Sequence, residues 1–370
     1  MKKKTSRRGA ASPIFDSIES VIDDIRRGRM VIVVDDPNRE NEGDLLMAAA
    51  KVSPAHINFM TQHGRGLICL PATAERLRQM GIGRMVVENR ESQKTAFMVS
   101  IDASKGVTTG ISAHDRARAA RILADPKACP GDLVQPGHVF PLQARPGGVL
   151  NRAGHTETAV DLARIAGLPP VGVICEIMNP DGSMARLPQL LRFRRRHRLK
   201  LCTVRDLIAY RRLREKLVER IKETDLPTPH GVFKLFVYRS VCDGLEHLAL
   251  VHGNPCGQRQ PALVRVQAEN VTADALGSGR FGRPDLVQDS LKRIVRAGHG
   301  VLLYMRHPGW GPVSGEPSRK HEIPHLREYG LGAQMLVDLG IRKIKLLVSH
   351  SKTVVGLEGY GLEIVREVRL

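Results

Sequence analysis

Met30-Val31-Ile32-Val33-Val34-Asp35-Asp36-Pro37-Asn38-Arg39-Glu40-Asn41-Glu42-Gly43-Asp44-Leu45-Leu46-Met47-Ala48-Ala49-Ala50 sets the organisation of the chain. Residues 30–34 are an apolar, β-branched run that predicts a buried strand, and Leu45–Ala50 reads as the next one. Between them, five carboxylates and one arginine fall within residues 35–44. Loops that follow strands often carry function. Acids this close repel one another unless a cation or a protonated member relieves them. A hard divalent ion completed by water or substrate oxygens would do so. A solvated acidic turn is the plainer alternative.

Working outward, Ile14, Ile18, Val21, Ile22 and Ile25 fall at helical spacing and Gly28 ends the pattern, which predicts a helix over 14–27. Downstream, helices are expected from Ser53-Pro54 and over Ser112–Ala124, Thr156–Ala166 and Thr203–Arg214. Strands are expected over Gly66–Leu70, Phe97–Ile101 and Val171–Met178. This alternation predicts an α+β fold of mixed α/β layers, with a mixed sheet flanked by helices. A charged helix tail and Asp225-Leu226-Pro227-Thr228-Pro229-His230-Gly231 then suggest a break. The expected organisation is a basic N-terminal arm over 1–11, a first domain over 12–214, a linker over 215–230 and a smaller α+β domain over 231–370.

The length of 370 residues fits two domains at roughly 150 residues each. A hydrophobic share of 42% with 26% charged residues excludes collagen-like or wholly disordered chains. No apolar run reaches the ~18–20 residues of a membrane-spanning helix. The basic start, Met1-Lys2-Lys3-Lys4-Thr5-Ser6-Arg7-Arg8, lacks the apolar core of a signal peptide, so a cytoplasmic location is expected. Six scattered cysteines without a CxxC pair signal neither a disulfide framework nor a zinc knuckle. The net charge of +19 would suit nucleic acid or anionic metabolites. Aromatics are only 4%, with none of the basic–aromatic interleaving of single-strand binders, so nucleic acid is not the expected partner. The basic run Arg192–Arg198 reads as the exposed end of a helix.

Four further segments bear chemistry. Arg152-Ala153-Gly154-His155-Thr156 begins a helix, whose free N–H groups and positive dipole end suit a phosphate. His155 could ligate a metal, or be a surface residue beside a capping Thr156. Gly106-Val107-Thr108-Thr109-Gly110 is a second glycine- and hydroxyl-rich entry to a helix, with Ser112 and Asp115 at approximate capping-box spacing. Glu176 interrupts an apolar strand, where burial would raise its pKa for acid–base work unless an ion pair holds it. His138, in Pro136-Gly137-His138-Val139-Phe140-Pro141, sits at the mouth of a strand and is either titratable machinery or structural.

Together and in this order, the segments resemble 3,4-dihydroxy-2-butanone 4-phosphate synthase of riboflavin biosynthesis, over essentially the whole first domain. The resemblance implies conversion of D-ribulose 5-phosphate to the four-carbon product and formate, with magnesium or manganese. It implies metal ligation by Glu40 and His155. Substrate binding is implied for Arg39, Glu40, Asp44, Thr108, Arg152, Ala153, Gly154, His155, Thr156 and Glu176, the phosphate falling to Arg152 and the helix start. His138 and Glu176 match positions the family requires for catalysis, and Glu42, Asp35 and Cys69 match positions lining the same pocket. A homodimer with active sites near its interface is also implied.

Residues 229–370 resemble GTP cyclohydrolase II through Leu263–Val266, Leu326–Gln334 and Val355–Leu362. Aligned through Glu269 and Gly277-Ser278, the three zinc cysteines of that family fall at Asn270, Phe281 and Arg283, none of which replaces a thiolate. Trp310 stands where arginine is expected, His325 replaces an acid before the retained Arg327, and Val348 and Thr353 replace a threonine and a lysine. No zinc is therefore expected, and the tail reads as a degenerate domain. A chain with both activities and an unconventional tail site, and a non-catalytic nucleotide- or nucleic-acid-binding scaffold, are the alternatives.

Overall fold

A computed structural model of the chain describes residues 14–37, 39–255, 260–280, 283–306, 323–349 and 361–370, with backbone only over 323–329. The expected arm over 1–11, the substitutions at Phe281, Trp310 and Thr353, and 355–360 of the closing motif lie outside the described residues. So do the side chains of His325 and Arg327. Two compact units result, Met1–Tyr210 and Arg211–Leu370.

The first unit is built on seven strands: β1 (Val31–Val34), β2 (Gly43–Ala48), β3 (Cys69–Ala72), β4 (Ile101–Ala103), β5 (Leu133–Gln143), β6 (Gly172–Glu176) and β7 (Lys200–Thr203). They form one mixed sheet in the order β4-β5-β3-β6-β2-β1-β7. The helices are α1 (Ile18–Arg26), α2 (Pro54–Phe59), α3 (Ala74–Gln79), α4 (Ala113–Ala124), α5 (His155–Ile165), α6 (Leu187–His197) and α7 (Val204–Arg214), the last of which continues past the boundary at Tyr210. Alternate residues of a strand face opposite sides of its sheet. Thus Val33, Leu46 and Ile174 pack with α1, α5 and α7, whereas Ile32, Leu45 and Val173 pack with α2, α3, α4 and α6. Cover on both faces is why β1 reads as an unbroken apolar run.

Several expected boundaries move for local reasons. α1 starts at Ile18 because the Ser17 hydroxyl caps it by accepting from the Ser20 amide, leaving Ile14 exposed and outside the helix. The expected strand Leu45–Ala50 runs from Gly43 to Ala48 and then tightens into a 3₁₀ turn over Ala49–Lys51. The expected strand Gly66–Leu70 begins only at Cys69, because a left-handed Arg65 (φ 73°) closes the preceding π-turn over Met60–Gly64. Phe97 makes only an isolated bridge to Leu142, and the strand predicted there starts at Ile101. The arginine run does close α6, where cations complement the C-terminal dipole.

The second unit contains β8 (Val218–Thr228), β9 (Gly231–Ser240), β10 (Glu246–His252), β11 (Ala262–Ala268), β12 (Gly300–Met305), β13 (Lys343–Val348) and β14 (Glu363–Arg369). Their order is β14-β13-β11-β12-β10-β9-β8. The helices are α8 (Val271–Asp274), α9 (Leu286–Arg296) and α10 (Ile323–Asp338). α9 buries Leu291 and Ile294 against Phe233, Leu250, Leu263 and Leu302. The expected linker over 215–230 is corrected: most of it is β8, paired with β9 through a turn at Pro229-His230. β8 is an edge strand, so Pro227 forfeits no bond on its open side, and its charged, exposed residues guard that edge. Those same features made it look like a linker.

α5 meets β6 where Gly172 lies against Ala159, and a Cβ on Gly172 would come 2.6 Å from the Ala159 Cβ. Gly172→Ala is expected to cost about 1–3 kcal/mol through this overpacking, read as a lowered urea midpoint with unchanged slope.

Candidate active site

β1 ends and β2 begins at the same rim of the sheet, so the acidic loop lies there. In the β2 register Asp44 stands opposite both Val33 and Glu176. The two-residue alternation puts Asp35, Asp44 and Glu176 on the side of the sheet that α5 covers. α5 begins at His155, which is buried, not the surface residue its position alone allowed. His155 Nε2 lies 3.2 Å from the Val33 carbonyl, to which its N–H donates. Nδ1 is thereby turned to Glu40 Oε2 and Asp44 Oδ2, each at 3.8 Å. The ligand atoms of Asp35, Glu40 and His155 all lie within 4.8 Å of one another, and no other such trio occurs among the described residues.

Asp35 organises the loop. Its Oδ1 accepts from the Glu42 amide at 2.9 Å, and its Oδ2 from the Glu40 amide at 3.1 Å and Arg39 Nη1 at 2.9 Å. Arg39 Nη1 also reaches Glu40 Oε2 at 2.6 Å. Between Glu40 and Glu42, Asn41 takes a left-handed conformation (φ 55°), which asparagine tolerates better than most residues. Arg186 donates to the carbonyls of Glu40, at 2.7 Å, and of Asn41, and lies 4.0 Å from Glu42 Oε1.

The crowding shifts protonation. The His155 imidazole, at 3.8 Å an ion-pair partner rather than a hydrogen-bond donor, holds Glu40 down at about 2 against burial, with help from Arg39. Burial pushes Asp44 up to about 7; Glu176, Glu40 and Glu42 add to the rise and His155 opposes it. Asp44 Oδ1 is buried without a hydrogen-bond partner. Burial pulls His155 down, but Asp44, Glu40 and Asp35 outweigh it and hold it at about 9. Burial and then the Glu40 charge raise Glu42.

The helix start forms the second part. Gly154 is the N-cap and offers no side chain, so Thr156, buried in the first turn, is not the cap. A Cβ on Gly154 would sit 2.7 Å from Arg152 Nη1 and 3.1 Å from Arg39 Nη2, so two guanidinium groups converge beside this helix end. Arg152 is held by Glu157 at 2.9 Å and by Thr95 Oγ1 at 2.8 Å. Ala153 packs against the core beneath. Such an arrangement suits a phosphate.

One expectation is corrected here. Glu176 is not the deeply buried acid: it ends β6 half-buried, and its Oε2 accepts from the Leu67 amide at 2.8 Å. The buried, proton-holding acid is Asp44. Cys69, expected to line the pocket, is buried; burial, then Glu176 and Asp44, push its thiol well above the usual range, which keeps it neutral.

His138 and Thr108 belong to a neighbouring group. The Thr108 hydroxyl is engaged with Asp115 at 2.8 Å, and Asp115 also takes the Gly110 amide. Gly110 then lies against the pair Asp102–His138. Cys69 pairs with Phe140 and Ile174. β3 thus lies between β5, which carries His138, and β6, which ends at Glu176. Sequence reading missed Asp102, Arg186, Glu157 and Thr95. Asp102 had a signal, a carboxylate beside apolar Ile101 and Ala103. Arg186 had none, since its target lies 146 positions away.

These features match a known class of riboflavin-biosynthesis enzyme. Residues 19–210 match the 3,4-dihydroxy-2-butanone 4-phosphate synthase model and 219–369 the GTP cyclohydrolase II model. The chain belongs to the 3,4-dihydroxy-2-butanone 4-phosphate synthase family and carries a GTP cyclohydrolase II family domain behind it. The riboflavin biosynthesis protein RibBA of Aquifex aeolicus is 50% identical over 374 residues, covering 96% of this chain and 92% of that one. RibBX, a two-domain 3,4-dihydroxy-2-butanone 4-phosphate synthase from A. baumannii, superposes with a TM-score of 0.82 at 39% identity, covering 96% of this chain and 99% of its own. A 3,4-dihydroxy-2-butanone 4-phosphate synthase solved with two magnesium ions gives 0.51 at 47% identity, covering 53% and 96%. No helix among the described residues is long and apolar enough to cross a membrane.

A cation bound at His155 Nδ1 must displace the proton held there up to a pH of about 9. Divalent-ion affinity of the substrate-free protein should therefore rise up to about tenfold per pH unit between roughly pH 7 and 9, releasing about one proton per ion. Calorimetric titration in buffers of different ionisation heat measures that release.

Proposed function

We propose that the first unit converts D-ribulose 5-phosphate to 3,4-dihydroxy-2-butanone 4-phosphate and formate, with magnesium or manganese held by Glu40 and His155. The convergence of Glu40 Oε2 and His155 Nδ1 at 3.8 Å carries this reading. Both oxygens of Asp35 are engaged by the loop, whereas Glu40 is held through Oε2 by Arg39 alone and His155 keeps Nδ1 turned toward it. The carboxylate oxygens, with water and substrate oxygens completing the shell, suit magnesium or manganese. Such an ion would stabilise negative charge developing on neighbouring substrate oxygens.

The chain's own groups do the rest. Arg152, Arg39 and the α5 start, with Ala153, Gly154 and Thr156, hold the phosphate. Enediol formation removes a proton beside a carbonyl, and loss of the C1 hydroxyl as water requires a proton donor. Asp44, titrating near neutrality, and Glu42, raised by burial, are suited to such transfers, with Glu176 and His138 as further relays. Cys69 lines the site as a neutral thiol. A homodimer is consistent with exposed Met85, Val86, Val87, Ile111 and Val134 on the first unit.

The second unit is proposed to be inactive as a zinc cyclohydrolase. Asn270 Oδ1 accepts from Thr272 Oγ1 and the Ala273 amide as the cap of α8, and Arg283 pairs with Asp289 at 2.7 Å. RibBX, which matches this chain over both units, carries the synthase name alone. The cyclohydrolase II match over 219–369 favours the second reading, a bifunctional chain.

Incubation with ribulose 5-phosphate and magnesium should release formate, and a chelator should stop it. Glu40→Gln or His155→Ala should abolish release with the circular dichroism spectrum intact, and Glu176→Gln should cost about 10²–10⁴ in rate. Near-parental turnover of Glu40→Gln at saturating magnesium would refute the metal assignment. Stoichiometric zinc with GTP-dependent release of formate and pyrophosphate would establish the bifunctional reading instead; neither is expected.

A further inference from the structure

We propose that Asp102 is a positioning residue for His138, fixing the imidazole as its Nδ1–H tautomer and leaving Nε2 as the working nitrogen. The inference rests on the reading of His138 as a proton carrier.

Both oxygens of Asp102 are committed to this one residue. Oδ1 accepts from the His138 backbone amide at 3.0 Å, and Oδ2 lies 2.6 Å from His138 Nδ1. The two side chains differ in exposure: that of Asp102 is 10% accessible and that of His138 44%. A carboxylate under cover that grips a half-open imidazole at one nitrogen orients the ring and defines which nitrogen carries the proton. An ionised carboxylate only accepts, so the Nδ1–H form is the neutral tautomer that satisfies it.

The backbone is shaped around this pair. Gly110 (φ 92°) lies where any side chain would strike Asp102 Oδ2 and His138 Nδ1. Gly137 lies equally close to the backbone at Ile101 and Asp102, and its amide donates to Ser100 Oγ at 3.1 Å. A register shift between Ile101 and Asp102 brings the carboxylate to β5. No hydrogen bond engages His138 Nε2 among the described residues. A carboxylate serving only to join β4 to β5 would need the amide bond alone; the ring bond is what a positioning role adds.

The test uses the full-length protein with ¹⁵N-labelled histidine, the His138 signals being assigned by their loss in His138→Gln. At a pH where the ring is neutral, long-range ¹H–¹⁵N spectra should show His138 protonated at Nδ1. In Asp102→Asn, whose amide can donate to Nδ1, the proton should move to Nε2. There kcat should fall about 10²-fold or more, with KM for ribulose 5-phosphate within about threefold of the parent. A parental His138 protonated at Nε2, an unchanged tautomer in Asp102→Asn, or kcat within about threefold of the parent would overturn the proposal. If Asp102→Asn does not fold, the parental spectrum decides alone. Parental turnover in His138→Gln would instead remove the role of His138, while the spectra still report on the hold of Asp102.

Discussion

Like charges at close quarters govern the first unit. Asp35, Glu40, Glu42 and Asp44 crowd one rim of the sheet, and the fold answers with three distinct devices. Arg39 and Arg186 neutralise from the side, the buried His155 neutralises from beneath, and Asp44 keeps its proton up to about pH 7. Each device needs a separate part of the chain in register. The helix start, the β2–β6 pairing and the turn before α6 are therefore all tied to this one electrostatic demand.

The broad layout and most of the site could be read from residue order, because periodicity and loop chemistry are local. The apolar run before Asp35 and the glycine-rich entry to His155 announce their elements without help from distant contacts. What was hidden depends on partners remote in sequence. Asp44 looks like one acid among five, and only pairing with Val33 and Glu176 places it under cover with an oxygen left unpartnered. Glu176, placed in an apolar string, suggested depth, but as the last residue of β6 it reaches the rim. Arg186 lies in a segment with no pattern of its own. The edge strand β8 reads like a connector because edge strands and connectors share prolines and exposed charge.

The second unit retains a packed sheet-and-helix core around Phe233, Leu250 and Leu302. At two of the three positions aligned with zinc cysteines, Asn270 closes a helix end and Arg283 forms a surface ion pair. Both side chains thus have local duties in the scaffold of the second unit.

Arg39 is shared property. Nη1 neutralises Asp35 and Glu40 while Nη2 is turned toward the Gly154 helix start. A cation seated on Glu40 would repel this guanidinium and release it toward an arriving anion. Ion and sugar phosphate would then assist each other's binding, and by thermodynamic reciprocity each would tighten the other by the same factor. On the proposed reading, a single arginine would couple the ion's place to the phosphate's.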